Sequence, residues 1–287
     1  MKWPCALQPC DLTALRAFYG QCELCHGHFC SNHVASTLHT CPTKEDIHTI
    51  YTSGDPAKLK DLNSIRRTAG EKMISRLLET INYDALQMRA ETLRGGIKCT
   101  VDLPPATQSY FNFDVLGGCN YHGSIVFEDG KTWLARFRLP NHTKPPLQER
   151  NFDRRSEFAT YCFLTKTTVP VPEVYDYAND DDPANLIGTG YILLEKSAGK
   201  PLAWHEANEI QKGKFSRQLE EMYVDLAQHP RGGLGRLQLS SSGLLEAGPA
   251  FFDYNSKGNL IPFGPFSHSN DYHTALIQHR IHFIKTG

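Results

Sequence analysis

The spacing of apolar residues changes period along the chain, and each change marks a predicted element. Ile65, Met73, Ile74, Leu77, Leu78 and Ile81 recur at helical spacing, with Arg66, Arg67, Glu71 and Lys72 on the other faces. Ser53-Gly54-Asp55-Pro56 reads as the loop before this helix, and Asp61 or Asn63 as its cap. A second helical stretch runs from Tyr83 to Leu93 and ends at Gly95-Gly96. From about Tyr110 the period falls to two. Residues 111–116 read as a strand, Gly117–Gly123 as a glycine turn, Ser124–Phe127 and Thr132–Arg138 as strands joined at Asp129-Gly130. A helix is expected over Arg155–Leu164, then a strand after Val169-Pro170-Val171-Pro172-Glu173-Val174. Gly190–Lys196 reads as a buried strand with a polar end.

Later segments are again helical. Residues 206–229 carry Phe215, Leu219, Met222, Tyr223 and Leu226 on one face, for which core packing is the expected role. A turn over Arg231–Leu237 leads into a polar stretch rich in Gly and Pro that runs to Pro265. Ser269–Lys285 forms a last predicted helix with Tyr272, Leu276, Ile277 and Ile281 as its stripe.

Composition narrows the function classes. Thirty basic residues against 31 acidic ones leave a net charge of −1, which gives no electrostatic case for nucleic acid or an anionic membrane as partner. No run reaches the length of a membrane span, and MKWPCALQPCDL lacks the apolar core of a signal peptide. The expected location is the cytoplasm or nucleus, where clustered cysteines suggest metal rather than disulfides.

The cysteines are clustered. Six of nine lie in the first 41 residues, in the order Cys5-x4-Cys10-x11-Cys22-x2-Cys25-x4-Cys30-x2-His33-x5-His39-x-Cys41. Zinc takes four soft or borderline ligands in a tetrahedron, and close pairs supply two corners from one loop. Eight ligands make two structural zinc sites, which would replace the apolar core that so short a segment cannot build. The run CELCHGHFCSNHVASTLHTC resembles the cross-brace zinc finger of the arsenite-inducible RNA-associated proteins. That resemblance implies Cys5, Cys10, Cys30 and His33 at one metal, and Cys22, Cys25, His39 and Cys41 at the other. The opening C-x4-C departs from the family's usual C-x2-C. Six thiolates against two Zn²⁺ leave the finger net negative, so a protein partner or a structural role is expected rather than phosphate binding.

The middle of the chain carries phosphate chemistry. A strand, a glycine turn, a strand, a tight turn and a strand make a flap whose backbone N–H groups approach phosphate oxygens. Arg136 on the last strand supplies a cation, with Arg138 two residues on and on the same face. Glu157, expected near the start of the next helix, supplies a carboxylate. The order GGCNYHGSIVFEDGKTWLARFR, SEFATYCFL, VPVPEVYDY and GTGYILLEKSAGKPL resembles the fungal branch of the aminoglycoside phosphotransferase-like kinases. The resemblance implies an α+β protein kinase-like N-lobe in which Gly117, Gly118, Asn120, Arg136, Glu157 and Glu195 serve the nucleotide. It divides the chain into a finger at 1–43, a helical bridge at 44–100, the kinase-like lobe at 101–202 and an incomplete helical C-lobe at 203–287.

The catalytic parts of that family are missing from the pattern. Phosphoryl transfer needs a carboxylate beside the acceptor hydroxyl and further ligands for Mg²⁺. No His-x-Asp follows Glu195; Asp253 falls in a predicted loop and Asp271 in the N-cap region of the last helix. The sequence therefore reads as a truncated, inactive form of an ATP-dependent small-molecule kinase, with no catalytic residue assigned and its acceptor unidentified. ATP and magnesium are expected only for a complete member, and nucleotide binding here is expected to be weak or lost. The alternative is a zinc-binding pseudokinase or protein-interaction module.

Overall fold

Asp55, expected only as part of a loop, opens the first long helix. Its side chain accepts from the N–H groups of Ala57 and Lys58, and Pro56 takes the first helical position, where its missing N–H costs nothing. Asp61 and Asn63 lie inside that helix rather than at its cap. The computed structural model describes residues 49–50, 52–109, 115–140, 145–199, 202–230, 232–255 and 259–286. Among them the helices are α1 (Pro56–Thr80), α2 (Tyr83–Leu93), α3 (Ala106–Ser109), α4 (Leu147–Leu164), α5 (Glu209–Ala227) and α6 (Ser269–Thr286). The strands are β1 (Cys99–Asp102), β2 (Asn120–Phe127), β3 (Thr132–Arg138), β4 (Val174–Ala178), β5 (Tyr191–Glu195) and two short pairs, β6 (Leu237–Leu239) with β7 (Leu245–Ala247) and β8 (Phe251–Tyr254) with β9 (Leu260–Phe263). The chain is thus α+β, with a five-stranded sheet in the order β1-β2-β3-β5-β4. No helix of the described residues is long and apolar enough to cross a membrane. The finger, with all eight expected zinc ligands, lies outside the described residues.

Two compact units divide the chain. The first takes the described residues up to Pro146 together with Asp180–Tyr191. Ile74, Leu77 and Ile81 of the predicted stripe are buried, as are Leu86 and Ala90 on α2. On the sheet, Tyr121, Ile125, Phe127, Trp133, Ala135 and Phe137 supply the buried face. Polar bonds tie α2 to the strands. Glu91 accepts from Lys98 and Gln87, and Arg94 pairs with Asp129 while lying 4.6 Å over the Phe127 ring. The segment read as a bridge therefore shares a unit with β1–β3.

That unit holds a strand the sequence pattern did not announce. β1 pairs antiparallel with β2 from Cys99↔Phe127 to Asp102↔Ser124. Farther along β2, Leu116 bridges to Tyr121 and the N–H of His122 donates to the carbonyl of Val115. The first strand of the flap is thus split: β1 covers one end of β2 and Val115–Leu116 the other, with α3 in the excursion between them. Of the strand expected over 111–116, residues 111–114 lie outside the described residues.

The second unit holds Leu147–Asn179 and Ile192–Gly287. Its α4 begins at Leu147, eight residues earlier than the apolar pattern indicated, which puts Glu157 in mid-helix. Within the polar, Gly/Pro-rich stretch the β6–β7 and β8–β9 hairpins form. Asp253 accordingly sits in a strand. A capping box between Asn208 and Gln211 starts α5. Its expected role does not hold: α5 has no buried residue, and Tyr223 is 66% exposed. Ile277 and Ile281 of α6 are exposed as well.

Candidate functional site

The β2–β3 hairpin sorts its residues by alternation. Tyr121, Gly123 and Ile125 pair with Phe137, Ala135 and Trp133 on the buried face. On the opposite face Asn120 pairs with Arg138, His122 with Arg136 and Ser124 with Leu134, and Asp102 of β1 continues the row beside Ser124. Directly paired residues share a face, so two guanidinium groups, an imidazole and an amide collect on one half-buried patch of the sheet. Groups of this kind donate to an anion, and Arg does so through a planar fork suited to phosphate.

At the head of the patch stands a turn shorter than the sequence suggested. The N–H of Gly117 donates to the carbonyl of Asn120 at 2.9 Å, and the N–H of Leu139 donates to the carbonyl of Cys119 at 3.0 Å. Only Gly117, Gly118 and Cys119 lie between the bridge at Leu116 and the start of β2 at Asn120. Gly118 has open space where a Cβ would stand, which leaves its backbone approachable. Gly123, expected in the phosphate turn, is instead a mid-strand residue. A Cβ there would lie 2.0 Å from Cδ2 of Leu103 and 3.2 Å from the carbonyl oxygen of Asp102, so glycine serves close packing against the start of the excursion.

The excursion is pinned from below. The Tyr121 hydroxyl donates to the Pro104 carbonyl at 2.7 Å, and the Tyr83 hydroxyl donates to that of Leu103 at 3.2 Å. Burial pushes both phenols above their ordinary pKa, with the Tyr83 group the next contributor at Tyr121 and Asp102 the next at Tyr83. They therefore stay protonated donors, and the floor under the turn does not change with pH in the neutral range.

The remaining predicted residues fall in the second unit. Glu157 is half-buried on α4. Glu195 ends β5; its N–H donates to the Glu173 carbonyl at 2.8 Å and its Oε2 accepts from the Glu173 N–H at 3.3 Å. That carboxylate fixes the crossing of the two chain segments. The structure thus groups Asn120 and Arg136 beside the Gly117-Gly118 turn, while Glu157 and Glu195 belong to the other unit. It adds His122 and gives Arg138 a place on the same face. His122 was legible in principle, because Tyr121, Ile125 and Phe127 alternate inward, but the glycine between them hid the strand.

Metal ligation is confined to the sequence argument. Among the described residues no cluster of three or more His, Cys, Asp or Glu is placed to hold a metal ion. The three described cysteines, Cys99, Cys119 and Cys162, form no disulfide. Burial pushes the thiols of Cys99 and Cys162 up, which makes them poor nucleophiles at neutral pH. No family model matches the chain, and no curated protein matches it.

Proposed function

We propose that this chain carries a nucleotide-binding lobe of the aminoglycoside phosphotransferase-like kind, related to ATP-dependent kinases of small molecules. The observation that carries the reading is the shared face of Arg136, Arg138, His122 and Asn120 beside the Gly117-Gly118 turn. The order of elements along the chain supports it too: a glycine turn, β2, β3 with its cation, one helix, then β4 and β5. In this reading Arg136 binds the nucleotide phosphates and the turn covers them with backbone N–H groups. Magnesium would accompany the nucleotide, and the acceptor is a small molecule whose class these residues do not define. Transfer itself is assigned to no residue, since His-x-Asp does not occur after Glu195.

Titration with MgATP tests this reading. If ~1 mM ATP is about ten times Kd, binding adds ~1.4 kcal/mol and raises the melting temperature of the purified chain. Arg136→Ala is expected to abolish the rise, and Arg138→Ala to reduce it. No rise in the unmodified chain, or an unchanged rise in Arg136→Ala, would sink the proposal.

A second reading is favoured by the eight-ligand run: a zinc-binding pseudokinase or protein-interaction module that recruits a protein partner through its finger. Six thiolates and two imidazoles are a donor set suited to two zinc ions. Metal analysis is expected to find about two zinc per chain. Cys22→Ser with Cys25→Ser is expected to remove one and to release the partner. A single zinc in the unmodified chain would point to the irregular Cys5/Cys10 pair, and none would end the finger assignment.

A further inference from the structure

The face of α5 carries an exposed apolar groove. Ser216, Leu219, Glu220, Tyr223, Val224 and Ala227 line an open groove of about 460 Å³ along the helix, spaced as one helical face. Leu219 is 40% exposed, Val224 56% and Tyr223 66%, so this face presents large apolar groups to solvent. An apolar face by itself does not say what covers it. The charges on α5 do.

The helix is electrically polarised along its length. Beside the groove its N-terminal half carries Lys212, which also bonds Glu209, and Arg217, while its C-terminal half carries Glu220; Asp225 is instead engaged by the N–H and hydroxyl of Thr168. Size is polarised in the same direction. Gly213 and Ser216 are small, and a Cβ at Gly213 would meet nothing within 4 Å; Tyr223 and Val224 are large. A parallel copy would set like charge against like and large side chains against large. An antiparallel copy sets the basic, small half of one helix against the acidic, bulky half of the other, twice over by symmetry. Arg217 then comes near Glu220 of the second copy, and Tyr223 fills the space above Gly213 and Ser216.

We propose that α5 is a self-association surface through which two copies of this chain pair antiparallel. One helical face is short of the ~1,200 Å² that stable interfaces bury, so the dimer is a weak one. The orientation is set by charge, through close opposite pairs that favour one register and penalise the other.

Sedimentation velocity on the full 287-residue chain, from ~1 to ~200 µM, tests it. A monomer–dimer equilibrium is expected. Arg217→Glu and Glu220→Lys, each alone, are expected to weaken dimerisation about tenfold, and the two together to restore it to within about threefold. Tyr223→Glu is expected to abolish it. All three positions are on an exposed helix surface, and unchanged thermal unfolding of the variants confirms that they fold. A monomer at every concentration overturns the proposal and leaves the face to some other occupant. Association in which the double exchange is no stronger than either single variant overturns the antiparallel pairing.

Discussion

Gly188→Ala is expected to cost the first unit ~3 kcal/mol, the sum of two penalties acting at one position. Gly188 has φ +88°, a conformation that side-chain-bearing residues rarely adopt, and this alone costs on the order of 1–2 kcal/mol. An added Cβ would also stand 2.4 Å from the carbonyl oxygen of Thr80, an atom of the main chain that cannot rotate aside. Relief requires the loop at Asp180–Tyr191 to back away from the junction of α1 and α2. That movement would pull Ile187, 2% exposed, out of its packing and break the 2.9 Å bond from the N–H of Asn82 to the Ile187 carbonyl. Asn82 is the N-cap of α2, whose side chain accepts from the N–H of Ala85, so the damage reaches the start of that helix. Gly130→Ala separates the two penalties. Gly130 has φ +83° but open space around a Cβ, so it carries the conformational cost without the collision. Urea unfolding is expected to show the Gly188 variant losing at least twice as much as the Gly130 variant. Equal losses would mean that the loop yields freely and does not clamp the helix junction.

How much of this was legible in the sequence depends on how long each signal is. The stripe through Ile74, Leu77 and Ile81 spans several turns and gave α1 and its buried side, and Gly95-Gly96 marked the end of α2. The start of α1 was misplaced because Asp55-Pro56 is a turn signal and a capping signal at once. β1 has only four residues, Cys-Thr-Val-Asp, with one of them buried, too few for a period to register. Pairs β6–β7 and β8–β9 are equally short and are punctuated by Gly and Pro, which read as loop. For the candidate site, Arg136 was identifiable because a cation alternates with buried apolar neighbours on β3. Its cross-strand partner His122 was not, because register is a property of the pairing and Gly123 masks the alternation on β2. An amphipathic pattern also does not reveal what covers its apolar face. The α5 stripe reads as core in the sequence and is exposed in the structure.

The second large effect is expected at Arg236, where replacement by alanine should cost the second unit ~2–3 kcal/mol and make its stability fall with rising pH. Arg236 extends from just before β6 into a group of acidic and aromatic side chains. Its guanidinium pairs with Asp153, lies 4.0 Å from Glu149 and sits 4.7 Å over Phe152 and 5.2 Å from Phe252, which themselves meet edge to face. One cation thus joins α4, the β6 hairpin and β8. Removing it leaves two carboxylates together without their counter-charge. The cost of breaking a buried pair is discounted here, because Arg236 is 28% and Asp153 40% exposed. Glu149 gives the pH dependence. Burial pushes its carboxyl above the usual range, the Asp153 charge pushes the same way, Arg236 pulls down and Asp253 adds a smaller upward push. Without Arg236 the upward shift grows. A carboxyl held above its unfolded value contributes stability that is complete below the unfolded pKa and is lost as pH rises through the folded one. The Arg236→Ala variant should therefore be closest to the unmodified chain at about pH 4 and farthest from it at about pH 8. Adding Glu149→Gln removes the titrating group and should recover part of the loss at pH 8 only. Denaturation curves at the two pH values decide the matter. A loss equal at both, untouched by Glu149→Gln, would assign the role of Arg236 to its stacking between Phe152 and Phe252 rather than to its charge.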